Sequence, residues 1–422
     1  MRIAYIAPYQ GPTLLTRRPI VGNRSMSNKL KIELVAELLH GGRREVEIIS
    51  QGEVIESCGT FYPSFSEPER FHPDIAIYYG SVLAIRRLNG VWSNARTLHI
   101  LQQRHRANPF DLMIVFNLKG PQVACGTYAI RHLGIPVILE YEDDWFVNVQ
   151  GEEVDGLVAK WHSRAAANLL QSVSGGIAVS PHLLSQLPPG IPSLLLRGLV
   201  GGDIVKASEV PRAEKRDAVL FSGTHVASNG VAQLIEAWRE VGLPDWQLHI
   251  TGYGGLIDTL RQMAAGVPGI VFHGLVSRAE LVRLMCAARI CINPHQVSQT
   301  AGNVFAFKII EYLASGAHVV TTPMGPLEKE LETGVTYMPD NKAQTIAASI
   351  RKVIEERAYE RTAMEAAQTM FGLTTVSKTL DALLHEVVDY SNHRRLSRLG
   401  ARVDPENCWA GAAQRLRRKL SS

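Results

Sequence analysis

Short apolar runs alternate with helix-like segments along most of the chain. The runs that predict buried strands in the first half are residues 2–7, 46–50, 74–78, 112–116, 136–140 and 176–180. The second half repeats the alternation, with runs at residues 218–223, 246–251, 270–272, 289–292 and 318–322. Strands separated by helices pair in parallel with helices on both faces, so the sequence predicts an α/β protein with two Rossmann-like, doubly wound parallel sheets.

The length of the chain predicts two domains. A sequence of 422 residues is too long for one ordinary α/β domain and is long enough for two that each bury a hydrophobic core. We place a first Rossmann-like domain at residues 1–198 and a second at 199–374, with a polar linker at 206–216. Residues 375–422 predict an apolar helix followed by a basic tail.

The composition is that of a soluble globular protein. Hydrophobic residues make up 46% and charged residues 20% of the chain, and no stretch approaches the roughly 18 apolar residues of a membrane span. The start of the chain predicts a strand and not a signal peptide. The five cysteines include no C-x-x-C pair, which argues against a disulfide framework or a cysteine zinc site and predicts reduced thiols in a cytoplasmic protein. A net charge of +4, without interleaved basic and aromatic residues, argues against nucleic-acid binding.

Residues 293–322 predict the functional site. They read as a strand end, a polar loop, a helix, a glycine stop and a second strand, which is a βαβ crossover. On the helix, Lys308, Glu311 and Ser315 fall at i, i+3 and i+7 and form a polar face opposite an apolar stripe. Loops at this end of an open parallel sheet face the ligand.

The polar face suits a nucleotide. A carboxylate such as Glu311 accepts hydrogen bonds from both ribose hydroxyls, while Lys308 and the free N–H groups of a helix that starts near Phe305 suit a diphosphate. The alternative is a surface pair of Lys308 and Glu311, worth a few tenths of a kcal/mol. A lysine that precedes a glutamate is the poorer orientation for such a pair and places a cation near the positive helix end.

From Asn303 onward, the run NVFAFKIIEYLASGAHVV resembles the glutamate-x7-glutamate region of retaining glycosyltransferases of family 4 (glycosyl transferases group 1), which have the GT-B fold. In that family the second glutamate binds the ribose of the nucleotide sugar, and it aligns with Glu311. The first contacts the donor sugar and aligns with Asn303, which can donate and accept hydrogen bonds but carries no charge. We also assign Val304, Phe305 and His295 to the donor site.

The strands at 218–223, 246–251 and 270–272 end on glycines, and their order resembles the nucleotide-binding half of the same family. We therefore assign Gly223 and Gly252 to the donor site, together with Thr224. Many relatives carry an arginine directly after the first glycine and a lysine five residues later to hold the diphosphate, but this chain has Thr224 and Asn229. Lys308 and backbone N–H groups would then carry that function, with two further candidates, His225 and Arg197. A solvated loop position explains His225 equally well.

Two loops of the first half complete the predicted site. By the resemblance, Gly22 and Asn23 approach donor phosphate or acceptor, although a plain turn into the next helix explains them equally well. Glu142 and Asp143 follow a predicted strand where the family often has a polar pair, and we assign Asp143 to the donor sugar or acceptor. The alternatives are acidic residues at a helix start, or a divalent ion held by Glu142 and Asp144. GT-B enzymes generally neutralise the leaving diphosphate with protein groups, which disfavours the ion.

The resemblance implies transfer of a hexose from a UDP- or GDP-linked donor to a hydroxyl acceptor, with retention of anomeric configuration and without a metal or other cofactor. The acceptor would be a polysaccharide, a glycolipid or a small glycoside. It also implies two domains that face each other across a cleft, with terminal helices that cross back to the first. The basic tail could contact an anionic membrane face, although a solvated tail is more common. The departures at Asn303, Thr224 and Asn229 leave a non-catalytic partner subunit or nucleotide sensor as the alternative function; a nucleotide-sugar epimerase ranks lower.

Overall fold

The computed structural model describes residues 1–18, 26–42, 44–52, 54, 59–66, 72–85, 88–144, 146, 157–209, 215–297, 303, 305–356 and 361–400. In these ranges the chain forms two parallel sheets covered by helices. The predicted fold class, a pair of doubly wound α/β sheets, is confirmed. Predicted positions in residues 19–25, 304 and 401–422, which include Gly22, Asn23, Val304 and the basic tail, lie outside the described residues.

The first sheet contains eight strands. The strands of the first half are β1 (Arg2–Ile6), β2 (Glu45–Ser50), β3 (Phe61–Tyr62), β4 (Phe65–Ser66), β5 (Ala76–Tyr79), β6 (Val82–Leu83), β7 (Leu112–Phe116), β8 (Val137–Tyr141), β9 (Gly175–Ala178) and β10 (Ser193–Leu195). The sheet order is β10-β9-β8-β7-β1-β2-β5-β4, with only β4 antiparallel to its neighbour, while β3 and β6 form a separate ribbon. Four of its strands, β1, β7, β8 and β9, are buried throughout, as expected for the centre of a sheet with helices on both faces.

The helices of the first half are α1 (Pro12–Arg17), α2 (Met26–Gly41), α3 (Asn89–Ala107), α4 (Gly120–Tyr128), α5 (Leu157–Leu170) and α6 (Pro181–Gln186). They contribute to hydrophobic clusters on the two faces of the sheet. Helix α6 begins at a clear capping signal, because the Ser180 hydroxyl accepts a hydrogen bond from the Leu183 N–H at 3.2 Å and Pro181 follows the cap.

The second sheet has six parallel strands in the order β13-β12-β11-β14-β15-β16. They are β11 (Arg216–Ser222), β12 (Gln247–Thr251), β13 (Ile270–Gly274), β14 (Ala288–Asn293), β15 (His318–Thr321) and β16 (Val335–Tyr337). The accompanying helices are α7 (Gly202–Ala207), α8 (Val231–Val241), α9 (Ile257–Ala264), α10 (Arg278–Ala287), α11 (Phe307–Ala314), α12 (Lys329–Glu332), α13 (Ala343–Glu355) and α14 (Arg361–Phe371). The strand order is the 3-2-1-4-5-6 order of Rossmann folds, in which ligands bind beyond the carboxyl ends of the central strands.

The last described helix, α15 (Leu373–Gly400), returns to the first sheet. Its residues Leu380 and Leu384 are buried in the same hydrophobic cluster as Ile32 on α2. A salt bridge of 2.6 Å between Arg44 Nη1 and Asp381 Oδ1 lies beside this contact. The helix therefore ties the end of the chain to the first half of the molecule.

The prediction of a polar linker at residues 206–216 was wrong at both of its ends. Helix α7 extends to Ala207, and β11 begins at Arg216. Lys215 is buried, and its Nζ donates to the carbonyl oxygens of Cys286 at 2.6 Å and Ser315 at 3.1 Å. Because a lysine can bury its stem when carbonyls satisfy its ammonium group, a polar stretch can form part of the core.

The predictions of reduced thiols and of no membrane span can be compared with the described part of the chain. Three cysteines in this part, Cys125, Cys286 and Cys291, are buried free thiols, and burial raises the pKa of each. Within these residues no helix has both the length and the hydrophobicity needed to cross a bilayer.

Candidate functional site

A cavity of about 510 Å³ lies between the two sheets. Its walls include residues at the carboxyl ends of β11, β12 and β14, together with residues of α2 from the first half of the chain. The α2 residues are Asn28, Lys29, Leu30 and Glu33, and Lys29 Nζ lies 2.6 Å from the Glu33 carboxylate. The position beyond the carboxyl ends of the strands is where doubly wound sheets bind their ligands. We call it the interdomain cavity.

The loop after β11 forms one wall of the interdomain cavity. Gly223, Thr224 and Asn229 all line it, and Asn229 Nδ2 donates to the Thr224 carbonyl at 2.7 Å. Gly252, which also lines the cavity, has a φ of +120°, and a Cβ at this position would collide with the Gly223 carbonyl. A glycine is therefore required at residue 252, because the loops after β11 and β12 touch there. The loop after β11 is therefore neutral at Thr224 and Asn229 and is braced by its own hydrogen bond.

The ammonium group of Lys308, in the first turn of α11, lies beside the loop after β11. Its Nζ donates to the Ser222 carbonyl at 3.2 Å and lies 4.8 Å from the centre of the Phe221 ring. No carboxylate of the described residues pairs with it, and burial lowers the pKa of Lys308 to about 8. A half-buried ammonium group without a counter-ion, beside the positive end of a helix, favours an anion.

Tyr312 holds the strand end that Lys308 contacts. Its hydroxyl accepts from the Ser222 N–H at 2.9 Å and lies 3.3 Å from the Ser222 carbonyl oxygen. Tyr312 is fully buried and lines the cavity. The pair of contacts fixes the peptide that precedes Gly223, so α11 positions the β11 loop as well as the lysine.

Glu311 is buried with 5% of its surface exposed, so the alternative of a surface pair with Lys308 was wrong. Its Oε1 instead accepts from Arg278 Nη1 at 2.6 Å, and Arg278 Nε donates to Asp203 Oδ2 at 2.8 Å. Burial raises the pKa of Glu311, and the guanidinium opposes that shift. Glu311 and Arg278 both line the interdomain cavity. Helix α11 thus carries Lys308 and Glu311 with different contacts: Lys308 contacts the Ser222 carbonyl, and Glu311 contacts Arg278.

Asp143 reaches the cavity from the first sheet, directly after β8. Asn117, which follows β7 in the left-handed region with a φ of 63°, holds this loop. Its Nδ2 donates to Asp143 Oδ2 at 2.8 Å, and its Oδ1 accepts the backbone N–H groups of Glu142 at 2.7 Å and Asp143 at 3.0 Å. The carboxylate of Asp143 faces the cleft, where the surrounding protein displaces enough water to raise its pKa.

Glu142 lines the same wall but has a protein cation for a partner. Its Oε1 accepts from the buried Lys31, which also lies 3.7 Å from Glu140 Oε1. Burial and the negative charge of Glu140 raise the pKa of Glu142 to about 7, against the effect of Lys31. Glu140, a residue of strand β8, is fully buried and accepts a hydrogen bond from the Tyr5 hydroxyl.

Asn303 lies at the contact between the two halves of the chain and is not part of the cavity wall. Its Nδ2 donates to Asp144 Oδ2 at 3.1 Å, and its carbonyl accepts from the Ser180 hydroxyl at 2.7 Å. The same Asp144 oxygen lies 3.0 Å from His182 Nε2 and 3.3 Å from Gln186 Nε2. The amide of Asn303 thus joins the second half to a polar cluster of the first.

Replacing Asn303 with glutamate is expected to weaken this contact. Two carboxylates would then lie about where a 3.1 Å hydrogen bond now forms, and like charges so placed repel. We expect Asn303→Glu to lower the melting temperature by about 1–2 °C, corresponding to a loss of about 1 kcal/mol in a chain of 422 residues. Thermal unfolding of Asn303→Glu, Asp144→Asn and the double variant would measure the coupling, and the double variant should recover most of the loss. A single variant as stable as the wild type would contradict the expectation, and Asn303→Gln controls for side-chain size.

The other predicted residues divide into two groups. His295 and Phe305 line the cavity, and the His295 carbonyl accepts from the Thr322 hydroxyl at 2.8 Å. The two further phosphate candidates do not line it. His225 is fully buried, and Arg197 is buried in a salt bridge with Glu328. The full burial of His225 contradicts the alternative of a solvated loop position, while phosphate contacts by His225 and Arg197 stay predictions.

Several cavity residues had no role in the predicted site. Arg278 and Tyr312 are the most important, because they hold Glu311 and the β11 loop. Asn117 carried a usable signal, since an asparagine directly after a buried strand suits left-handed backbone. Arg278 carried none, because an arginine that follows an N-cap serine, here Ser277, is ordinary on a helix surface.

Comparisons with known proteins agree with this geometry. Residues 216–356 match the family model "Glycosyl transferases group 1". The sucrose-phosphate synthase of Thermosynechococcus elongatus is similar in structure, with a TM-score of 0.68, 15% identity, and coverage of 92% of this chain and 99% of that one. HepE of Anabaena, solved in complex with UDP, has a TM-score of 0.63, 16% identity and coverage of 91% and 100%. A UDP-forming trehalose-phosphate synthase of Burkholderia xenovorans has a TM-score of 0.62 and 12% identity, and the match covers 92% of this chain and 99% of that one.

No curated protein sequence matches the chain. At these identities the solved structures show the fold alone, and they define a protein of the GT-B class, with two Rossmann-like sheets and a site between them. The family match covers the second half of the chain, which contains β11 to β16, so this half is similar to group 1 glycosyltransferases.

Proposed function

We propose that the protein transfers a hexose from a UDP-linked donor to a hydroxyl acceptor with retention of anomeric configuration. The observation that carries the proposal is the pairing, on one turn of α11, of an unneutralised lysine and a buried carboxylate that both line the interdomain cavity. Lys308 and the helix start suit the diphosphate, and Glu311 suits the ribose hydroxyls. Asp143, on the opposite wall, would then face the hexose or the acceptor.

The chemistry requires the donor diphosphate to leave the anomeric carbon through a state with oxocarbenium character. Negative charge grows on the leaving oxygen, and Lys308 is the cation placed to stabilise it. Retention would follow if the acceptor attacks from the face that the diphosphate leaves, with a phosphate oxygen taking the acceptor proton. Asp143 would orient sugar hydroxyls, and no enzymic nucleophile is required.

We propose that the reaction needs no metal ion. Thr224 and Asn229 are neutral, so another positive group has to compensate the charge of the diphosphate. A metal ion would be one such group. Lys308 and the N-terminal N–H groups of α11 supply positive charge at that position instead. The acid nearest to a metal-binding role, Glu142, already has Lys31 as its partner. Addition of a chelator should leave turnover unchanged.

The choice of uridine follows from the similar structures. HepE has been solved with UDP and with UDP-glucose, and the Burkholderia synthase is described as UDP-forming. Starch synthase IV of Arabidopsis, of the same fold, was solved with ADP, so the fold alone does not select the base. Calorimetric titration of UDP, GDP and ADP, each with and without attached glucose, tests the choice directly. Saturable binding of UDP and UDP-glucose, but not of the guanosine and adenosine nucleotides, is expected, and preferential binding of another base would overturn the choice of uridine.

The stereochemical outcome tests the reaction type. Proton NMR of the first product formed from UDP-α-glucose should show an α-linkage, since the donor is α-configured. A β-linked product would overturn retention while leaving donor binding intact. The two parts of the proposal therefore fail separately.

Donor binding should weaken as the pH rises through about 8. The free protein holds Lys308 with a pKa of about 8, lowered by burial, so the lysine is increasingly neutral above that pH. Because the diphosphate binds the protonated form, affinity should fall by about tenfold per pH unit well above the pKa. Calorimetric titration of UDP between about pH 8 and about pH 10 avoids the titration of Glu142, whose pKa is about 7. A flat profile would show that Lys308 does not contact the diphosphate, and Lys308→Met should give such a profile from a weaker starting affinity.

A non-catalytic role as a partner subunit or nucleotide sensor is the alternative. It draws support from Asn303, whose amide is bonded to Asp144, and from the neutral loop at Thr224 and Asn229. UDP binding without hydrolysis or transfer from UDP-glucose, across a panel of sugar acceptors, would favour it. Turnover with any acceptor would exclude it.

A further inference from the structure

A second cluster of chemically active side chains lies away from the interdomain cavity. His40, His72 and Asp74 each offer one ligand atom, and these three atoms lie within 4.8 Å of one another. The two imidazole rings meet edge to face with their centres 4.5 Å apart. The Nδ1 of His40 is buried and has no hydrogen-bond partner among the described residues. A buried imidazole nitrogen without a partner, on a residue next to a second imidazole and a carboxylate, makes His40 a candidate ligand for a metal ion.

The topology explains why these residues meet. His40 is in the last turn of α2, shortly before β2, and residues 72–74 immediately precede the strand region of β5. Strands β2 and β5 are parallel neighbours, with Glu47 opposite Ala76, so both segments reach the same end of the sheet. A hydrogen bond of 3.3 Å from the Asp74 N–H to His72 Nδ1 ties these two residues into one turn around Pro73.

We propose that His40, His72 and Asp74 bind a divalent transition-metal ion, with Zn²⁺ as the best match. Two imidazoles and one carboxylate are ligands that Zn²⁺ prefers, and a water would complete a tetrahedron. Ligand atoms around such an ion lie about 3.4 Å apart, so the widest pair would have to approach by no more than about 1.4 Å. Asp74 is exposed, which gives its carboxylate freedom to move and the ion a path from solvent.

The position of the three ligands, away from the interdomain cavity, suits an ion that stabilises the fold and takes no part in catalysis. It would join the end of α2 to the loop before β5, at the amino-terminal end of the strands, while the interdomain cavity lies beyond the carboxyl ends. The cavity residue Lys29 is about 16 Å from His40 along the helix axis, at about 1.5 Å per residue. The last carbonyls of α2 carry partial negative charge and would favour a cation beside His40. The proposal therefore does not depend on the sugar-transfer function.

The test is calorimetric titration of Zn²⁺ into chelator-treated, full-length protein. We expect one saturable site, and at least about tenfold weaker binding in both His40→Ala and Asp74→Asn. His385→Ala removes an exposed imidazole on α15 and is the matched control, with unchanged binding. His273→Ala removes one member of the pair formed by His249 and His273, 2.7 Å apart, and should also leave binding unchanged.

Two further measurements distinguish loss of a metal ligand from misfolding of the variant. Asp74 is exposed, so Asp74→Asn should retain the wild-type circular dichroism and the wild-type affinity for UDP. Zn²⁺ should raise the melting temperature of the wild type and of His385→Ala but not of Asp74→Asn. Absence of Zn²⁺ binding, or equal binding by wild type and Asp74→Asn, would overturn the proposal. Loss of binding in His273→Ala alone would assign the ion to the second sheet and overturn it as well.

Discussion

Substitution of Lys308 by methionine is expected to lower the turnover of sugar transfer by about 10²–10³-fold, the usual cost of removing one group that stabilises charge in a transition state. Methionine is an unbranched apolar side chain of similar length and can replace the ammonium group beside the Phe221 ring with a thioether, so the fold should survive. The loss should be large because the other lysine and arginine side chains that line the cavity in the described residues are already paired, Arg278 with Glu311 and Asp203, and Lys29 with Glu33.

Lys342→Met is the matched control for this variant. Lys342 belongs to the same half of the chain, its side chain is 75% exposed, and its nearest carboxylate is Asp340 at 3.3 Å. Turnover with UDP-glucose should be unchanged in this control. If Lys308→Met also retained wild-type turnover, the leaving diphosphate would have to be neutralised elsewhere, and the assignment of α11 to the donor would lose its main support.

The central strands could be predicted from the sequence because a strand that is buried on both faces consists of a continuous run of apolar residues. The run at 112–116 coincides with β7, the run at 246–251 begins one residue before β12, and the run at 289–292 is one residue shorter than β14 at each end. The edge strands β4 and β10 were missed, since two or three partly exposed residues form no such run. The pattern therefore predicts the central strands of both sheets, and at the edges it predicts only β13, whose apolar run at 270–272 is longer than those within β4 and β10.

The placement of Lys308 and Glu311 on one helix followed from their spacing, but their partners did not. Arg278 reaches Glu311 across 33 residues of sequence, and Asn303 reaches Asp144 across 159. Periodicity describes contacts within one element, whereas these contacts depend on the packing of α10 on α11 and of one half of the chain on the other. This is also why Asn303, expected beside the donor sugar, has its amide bonded to the first half of the protein.

Glu311→Ala is expected to weaken UDP binding by about 100-fold, because two hydrogen bonds from ribose hydroxyls to a buried carboxylate contribute about 1.5 kcal/mol or more each. The measurement is calorimetric titration of UDP against the wild type and the variant. To separate a lost contact from a distorted pocket, the same titration uses 2′-deoxy-UDP. The wild type should bind the deoxy ligand about tenfold more weakly than UDP, whereas Glu311→Ala should bind both alike. A variant that still discriminates between them would place the ribose elsewhere.

Arg278 decides whether Glu311 is ionised when the nucleotide arrives. Burial raises the pKa of the Glu311 carboxyl and Arg278 counters it, so Arg278→Ala should leave a carboxyl that takes up a proton as the pH falls. A protonated carboxyl loses part of its capacity to accept from the ribose, so UDP affinity in Arg278→Ala should fall at about pH 5.5 relative to about pH 8 more steeply than in the wild type. In the double variant with Glu311→Ala this additional pH dependence should vanish, because the titrating group is gone. If it persisted, Arg278 would act on the nucleotide directly and not through the carboxylate it holds.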